Sequence, residues 1–529
     1  MSNALFNTVQ MRKPARSTFD LTHDVKFSTK FGKLTPICSF DLLPSDSINI
    51  GCDALVKLAP ILAPIMHRVD FTQHYFAVPN RIMWENWEKF IANEKDENGD
   101  EYIQPYVFIN PETEENVLKI CDYLGISIPG NIGQNASEKV LAYPFKAFLM
   151  IYNEYYRDQN LIQEIEWELI DGDNTTQFEI IFANDFFRAW EHDYFTSCLP
   201  FAQKGSAVDL PLGNVQLSTD LNASNKPFFQ NDDGSLVLAG ALSQQQNPTS
   251  EINVQNNPTE PAYLNPNGSL VVGATTINDL RRAYRLQEWL ERNARGGTRY
   301  FELIYSHFDQ KSPDSRLQRP EYITGIKSPV IVSEVLNTSG PTEYFDSETN
   351  QAVQTGEAQG SRAGLATGMH QGKLGYYKAQ EHSWVIGIFS IMPKTAYQQG
   401  IHRMFTRESF LDYAWPTFAQ LGEQEVKTRE IYGYTDDSDV LFGYIPRYAE
   451  YKFMNSRVAG DFRTSLKYWH LGRIFANPPA LNQDFIECRP ADVSRIFAVE
   501  DTAVDNVWCH ILHKIRAKRP LPFFGTPTI

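Results

Sequence analysis

The chain has 529 residues, enough for two or three average domains or for one fold enlarged by long insertions. Its 42% hydrophobic and 13% aromatic residues describe a globular protein with a large core, which excludes a chain disordered throughout. A net charge of -16 argues against nucleic-acid binding over the whole surface, and no apolar run approaches the ~20 residues that span a bilayer.

The opening stretch MSNALFNTVQMRKPARSTFD has no apolar signal core, so we expect no secretory route. The product then stays in the cytoplasm or leaves it within a particle. Arg12, Lys13 and Arg16 stand in the first 19 residues without an acid. Val25–Thr29 alternates apolar and polar residues, and Arg68–Val78 is rich in β-branched and aromatic residues before Pro79; both predict strands. Trp84, Trp87 and Ile91 predict a helix over Arg81–Ile91. A second helix is expected over Phe145–Tyr156, where Phe145, Phe148, Leu149, Tyr152 and Tyr156 share one face. Phe178–Phe182 (FEIIF) reads as a strand.

Residues 206–276 differ in kind. Of these 71 residues, 39 are Asn, Gln, Ser, Thr, Pro or Gly, too polar a mixture for a core of its own, so the segment reads as a surface insertion. Within it Gly234-Ser235-Leu236-Val237 is echoed by Gly268-Ser269-Leu270-Val271, as two matching short strands would be. A helix follows over Ile277–Ala294, opened by Thr276 with Asp279 and stopped at Gly296-Gly297. Ile326–Leu336, Trp384–Met392 before Pro393, and Val507–Ile515 complete the predicted strands. The Gly- and Gln-rich stretch Asn337–Gln380 is expected to be a long surface loop. After Asp505 the chain carries no acid, while Lys514, Arg516, Lys518 and Arg519 cluster. Two basic ends on an acidic body can face phosphate locally; the same residues also read as solvated tails. Strand and helix do not alternate as βαβ units require, so a sandwich or jelly roll with helix-containing insertions fits better.

Catalytic motifs are missing. There is no GxxxxGK[ST] loop, no GxSxG elbow and no HExxH helix. Cys38, Cys52, Cys121, Cys198, Cys488 and Cys509 form no CxxC pair, so buried free thiols are expected. Cys509, His510 and His513 lie close together, but residues 510 and 513 of a strand point to opposite faces. Asp461 and Arg463 in GDFR read as a structural ion pair before a catalytic one. The sequons at Asn135 and Asn222 carry no weight without a secretory route. Clusters such as Trp84/Trp87 and Tyr155/Tyr156 have acidic neighbours, which favours core or subunit interface over stacking on nucleic acid.

The stretch HRVDFTQHYFAVPNRIMWENWEKFI (residues 67–91) resembles the signature region of Microviridae major capsid proteins, especially the gokushovirus-like branch. Further blocks agree in order: YNEYYRDQNL (152–161), RAWEHDYFTSCLPFAQKG (188–205), the long run 280–339, YQQGIHRMF (397–405), FAQLGEQEV (418–426), residues 442–475, and RPLPFFGTP (519–527). The resemblance implies a mainly β chain, an eight-stranded antiparallel jelly-roll β-barrel with long helix- and loop-containing insertions, as a single domain over 1–529. It implies a non-enzymatic subunit of a virion, sixty copies forming a T=1 shell through pentamer and threefold contacts around circular single-stranded DNA. It also implies assembly in the bacterial cytoplasm with an internal scaffolding protein, a small basic DNA-binding protein and a minor pilot protein. The insertion 206–276 stands where that branch carries a threefold protrusion, with Leu236, Val237, Leu270 and Val271 as its strands and a host surface receptor as its partner. No cofactor, metal or catalytic residue is expected. That Arg12, Lys13, Arg16, Lys514, Arg516, Lys518 and Arg519 touch DNA inside the shell rests on charge alone. A jelly-roll carbohydrate-active enzyme or lectin is the alternative, and would need two carboxylates converging on a cleft. A sequence-independent single-strand binder is disfavoured by the net charge.

Overall fold

The structure is a computed structural model that describes residues 15–128, 137–206, 208, 215–217, 228–230, 263–265, 270–272, 276–336, 342–345, 352–355, 362–499, 501 and 503–524. Two compact units divide the chain: residues 1–202 with 296–529, and residues 203–295.

The first unit is organised by a sheet of nine strands. In chain order these are β1 (Ser17–Asp20), β2 (His23–Thr29), β3 (Thr35–Leu42), β4 (Ser47–Leu58), β5 (Val69–Pro79), β6 (Glu321–Leu336), β7 (Arg362–Lys378), β8 (Ser383–Pro393) and β9 (Val507–Arg519). Every pairing is antiparallel. From β2 onward the chain pairs inward from both ends: β2 with β9, β3 with β8, β4 with β7, β5 with β6. Lateral pairs β9–β4, β7–β6 and β5–β8 join these into one curled sheet. Such nested pairing of eight strands is the jelly-roll topology, and β1 extends its edge along β9. β2 and β3 stand at opposite ends of the strand order, which leaves a seam between them.

Burial explains the strands. β9 alternates, with Val507, Cys509, Ile511, His513, Ile515 and Ala517 buried and the residues between them facing outward. β5 and β8 are covered on both faces, which is why they read as nearly continuous apolar runs. On the inner face Phe71 and Phe389 stack with centroids 6.0 Å apart, within a core that includes Ile50, Val56 and Ile511. On the outer face Phe76, Val78, Ile386 and Ile388 pack under the helices of the long β5–β6 connection. Burying each such side chain contributes about 2–3 kcal/mol. Pro329 sits where β6 passes from β5 to β7, so its missing N–H interrupts only one ladder.

Three expectations are corrected. Phe178–Phe182 belongs to a helix, Thr175–Phe182, because Phe178 and Phe182 at i and i+4 both reach the core while Ile180 is exposed. Phe178 lies 4.5 Å from Phe145, and this packing overrides β propensity. The helix expected over Arg81–Ile91 is two short ones, Asn80–Met83 and Trp87–Ile91. Trp84 turns extended between them to bury its ring and donate Nε1–H to Asp171 at 2.8 Å. The expected loop Asn337–Gln380 contains β7. Two of its glycines stand where neighbours leave no room: a Cβ on Gly368 would lie 2.7 Å from the Phe71 ring, and one on Gly375 would lie 2.9 Å from Thr324.

Phe145–Tyr156 is helical within Tyr143–Tyr156, its last turn widened to π geometry, with all five predicted face residues buried. In the second unit, helix Ile277–Gly296 opens with Thr276 Oγ1 2.7 Å from the Asp279 carboxylate, yet Ile277, Leu280 and Tyr284 are exposed. Val215–Leu217 pairs with Leu270–Val272, and Phe228–Gln230 with Tyr263–Asn265. Leu270 and Val271 therefore lie opposite Leu217 and Gln216; Leu236 and Val237 fall outside the described residues. No helix among the described residues is long and apolar enough to cross a membrane.

Candidate nucleic-acid face and assembly surface

The alternation of β9 puts Trp508, His510, Leu512, Lys514, Arg516 and Lys518 on the side away from the barrel core. Pairing brings further groups to that side: Lys26 opposite His510, Lys57 opposite Trp508, and Lys378 reached from Lys518 through Ser47. Tyr376 lies beyond Asn49 from Arg516 and is 59% exposed. The described side chains here include the cations Lys26, Lys57, Lys378, Lys514, Arg516 and Lys518 and the carboxylates Asp20, Asp24 and Asp53. A cationic face with exposed Trp508 and Tyr376 suits a flexible polyanion whose bases can stack.

The carboxylates are held by neighbouring groups. Asp53 is 2.5 Å from Lys514, and Asp24 lies beside Lys26 and 3.2 Å from His510. Hydrogen bonds from the Thr22 side chain and backbone, with the nearby Arg516 charge, hold Asp20 below the ordinary carboxylate range. The bond from Lys26, then that from His510, does the same for Asp24. Surface pairs of this kind are weak enough for phosphate to compete for the cations.

The predicted basic residues separate. Lys514, Arg516 and Lys518 come together on the open face. Arg519 is instead a structural tie, its guanidinium 3.3 Å from fully buried Asp46 and donating to the Asp41 carbonyl at 2.9 Å. Arg16 donates to the Ser45 carbonyl beside it, and Arg12 and Lys13 fall outside the described residues. Lys26, Lys57 and Lys378 escaped the sequence reading because only strand register brings them to β9.

A second surface is apolar. Three 3-10 turns, Arg403–Phe405, Phe410–Asp412 and Pro416–Phe418, leave Phe405 and Phe410 each 70% exposed, with Tyr413 and Trp415 about half exposed. Trp415 Nε1 donates to the Phe410 carbonyl at 2.8 Å. The Arg407 guanidinium lies 5.1 Å from the Tyr413 ring and 4.4 Å from that of Tyr451. An aromatic, Arg-studded surface left uncovered in a single chain has the composition of a protein–protein contact.

The cleft around His67, Glu191, Asp193, Lys394 and His470 holds two carboxylates, the requirement of the enzymatic alternative. Both are engaged. Glu191 pairs with Lys327 and Lys394. Asp193 accepts from Tyr397 Oη at 2.7 Å and from the N–H groups of Phe195 and Thr196 at 2.8 Å. Asp461 and Arg463 lie on an exposed 3-10 turn. All six cysteines are buried free thiols. His510 and His513 face opposite sides of β9.

Residues 7–529 match the family described as capsid protein (F protein). The chain is similar to capsid protein VP1 of Bdellovibrio phage phiMH2K, 37% identical over 97% of this chain and 95% of that protein. It is 32% identical to capsid protein VP1 of Chlamydia phage 1, over 99% of this chain and 97% of that protein. With capsid protein VP1 of Spiroplasma virus 4 it shares 29% identity over 97% and 95% of the two chains. A jelly roll whose cleft carboxylates are spent on structure, aligned almost end to end with phage coat proteins, is a structural subunit and not an enzyme: the chain belongs to the capsid protein (F protein) family of Microviridae bacteriophages.

Proposed function

We propose that sixty copies of this major capsid protein close a T=1 icosahedral shell around circular single-stranded DNA, with the outward face of β9 lining the interior. The observation that carries this reading is the division of the surface: cations and exposed aromatics meet on one sheet face, while Phe405–Trp415 forms a separate uncovered apolar surface suited to a neighbouring copy. Assembly belongs in the bacterial host cytoplasm with an internal scaffolding protein, a small basic DNA-binding protein and a minor pilot protein. Residues 206–276 then form the threefold protrusion that meets a host surface receptor, within one capsid chain over 1–529. Their polar composition supports a solvent-facing role.

Lys514, Arg516 and Lys518 replaced together by Gln should weaken DNA retention at every sequence. Each lost phosphate contact reduces the slope of log affinity against log salt by about 0.7 on single strands. Titrating salt against DNA release from opened particles measures it: a slope smaller by about 2 supports the interior assignment, and an unchanged slope removes it. A chain lacking residues 210–272, bridged by Gly-Ser, should still fold and form particles but fail to adsorb to host cells. Normal adsorption by those particles would refute the receptor role.

A further inference from the structure

Three side chains at the seam between β2 and β3 offer a ligand set that neither surface uses. His23 on β2 and His513 on β9 are directly opposed, their rings 5.1 Å apart and tilted by 33°. Cys38 comes from β3, at the far end of the strand order. One nitrogen of each histidine and the Cys38 sulfur lie within 4.8 Å of one another.

Hydrogen bonds leave the histidines as ligands. His513 Nε2 is 3.0 Å from the Ile37 carbonyl, which can only accept, so this nitrogen carries the proton and Nδ1 keeps its lone pair toward Tyr75 Oη at 2.9 Å. His23 Nδ1 is 2.8 Å from the Leu21 carbonyl and by the same reasoning donates, leaving Nε2 with a lone pair. A backbone carbonyl fixing the second nitrogen is the usual way a metal-binding imidazole is oriented.

We propose that His23, His513 and Cys38 bind one Zn2+ ion that joins the two ends of the sheet across its seam. Two imidazoles and one thiolate suit this borderline-soft cation, with water or the Tyr75 hydroxyl as the fourth ligand. Ligand atoms around tetrahedral zinc stand roughly 3.5 Å apart, so the three groups close in by about 1 Å. Binding replaces the Cys38 S–H bond with a Zn–S bond and releases the proton to solvent past exposed His23. The Tyr75 hydroxyl gives up its bond to Nδ1. The ion ties together strands that no ladder pairs, and acts there as a fastener for the barrel.

The test uses the full-length chain, stripped with chelator, desalted and titrated with Zn2+ alone or with Co2+. We expect one zinc per chain, a rise in melting temperature on loading, and a thiolate-to-cobalt charge-transfer band. His23→Gln changes an exposed side chain and leaves the fold intact; it should weaken zinc binding by about 100-fold. Cys38→Ser should abolish the cobalt band. His510→Gln, on the opposite face of β9, should bind as wild type. Absence of stoichiometric zinc in the wild-type chain, or equal affinity in His23→Gln and wild type, overturns the proposal.

Discussion

Gly32→Ala is expected to remove the folded subunit from the soluble fraction. Gly32 turns the corner between β2 and β3 with φ of 74°, in the left-handed region where a Cβ is unfavourable. Space is the larger obstacle. A Cβ there would lie 1.8 Å from the Cys488 carbonyl oxygen and 2.7 Å from its carbon. Neither partner is free to retreat: the Gly32 N–H donates to the Ile391 carbonyl at 2.9 Å, its own carbonyl accepts from Arg188 N–H at 2.8 Å, and Cys488 N–H donates to the Arg188 carbonyl at 3.0 Å. Relieving the clash means breaking this stack, so a loss above about 4 kcal/mol is expected. Gly99→Ala supplies the comparison. Its φ is 88° but nothing lies within 4 Å of the added methyl, so only the backbone cost of about 1–2 kcal/mol applies. Soluble yield of the two variants, followed by chemical denaturation of any folded subunit recovered, measures the difference. Equal destabilisation would show that the Cys488 contact does not constrain the corner.

Serine at both Phe410 and Trp415 should have the opposite signature, an intact subunit that does not assemble. Phe410 is largely and Trp415 about half exposed in the single chain, and neither belongs to the barrel core, so their removal leaves that core untouched. If the proposed shell buries them against a neighbour, truncating each aromatic anchor costs about 2 kcal/mol, or some thirtyfold in affinity per contact. Because a closed particle repeats each contact at every symmetry-related site, particle yield should fall well beyond that factor. Velocity sedimentation would show slow-sedimenting subunits with a wild-type melting curve. Shells at wild-type yield would mean that another surface joins the copies.

Where one physical cause dominates, the sequence was readable. β5 and β8 announced themselves because burial on both faces demands unbroken apolar residues, and β9 because burial on one face demands alternation. β7 was hidden by Gly368 and Gly375, which look like loop residues until the closeness of Phe71 and Thr324 is known. Phe178–Phe182 reads as a strand because four of its five residues are apolar and β-favouring; only the distant Phe145 selects a helix. The candidate surfaces divide in the same way. Lys514, Arg516 and Lys518 form a visible charge cluster on one strand, whereas Lys26, Lys57 and Lys378 join them only through register. Arg519 looked like its neighbours in charge, yet buried Asp46 claims it. Cys509 and His510 are the neighbours of His513 in sequence, while its neighbours in space are His23 and Cys38.

The proposed assembly is a closed shell with the basic sheet face turned inward. Electron cryo-microscopy of virions carrying the chain tests it most directly. The expected result is a T=1 particle of sixty jelly rolls, with Lys514, Arg516 and Lys518 facing the DNA and Phe410 and Trp415 buried between copies. A particle in which that face of β9 lies on the outer surface, or whose shell is made of another protein, would contradict it.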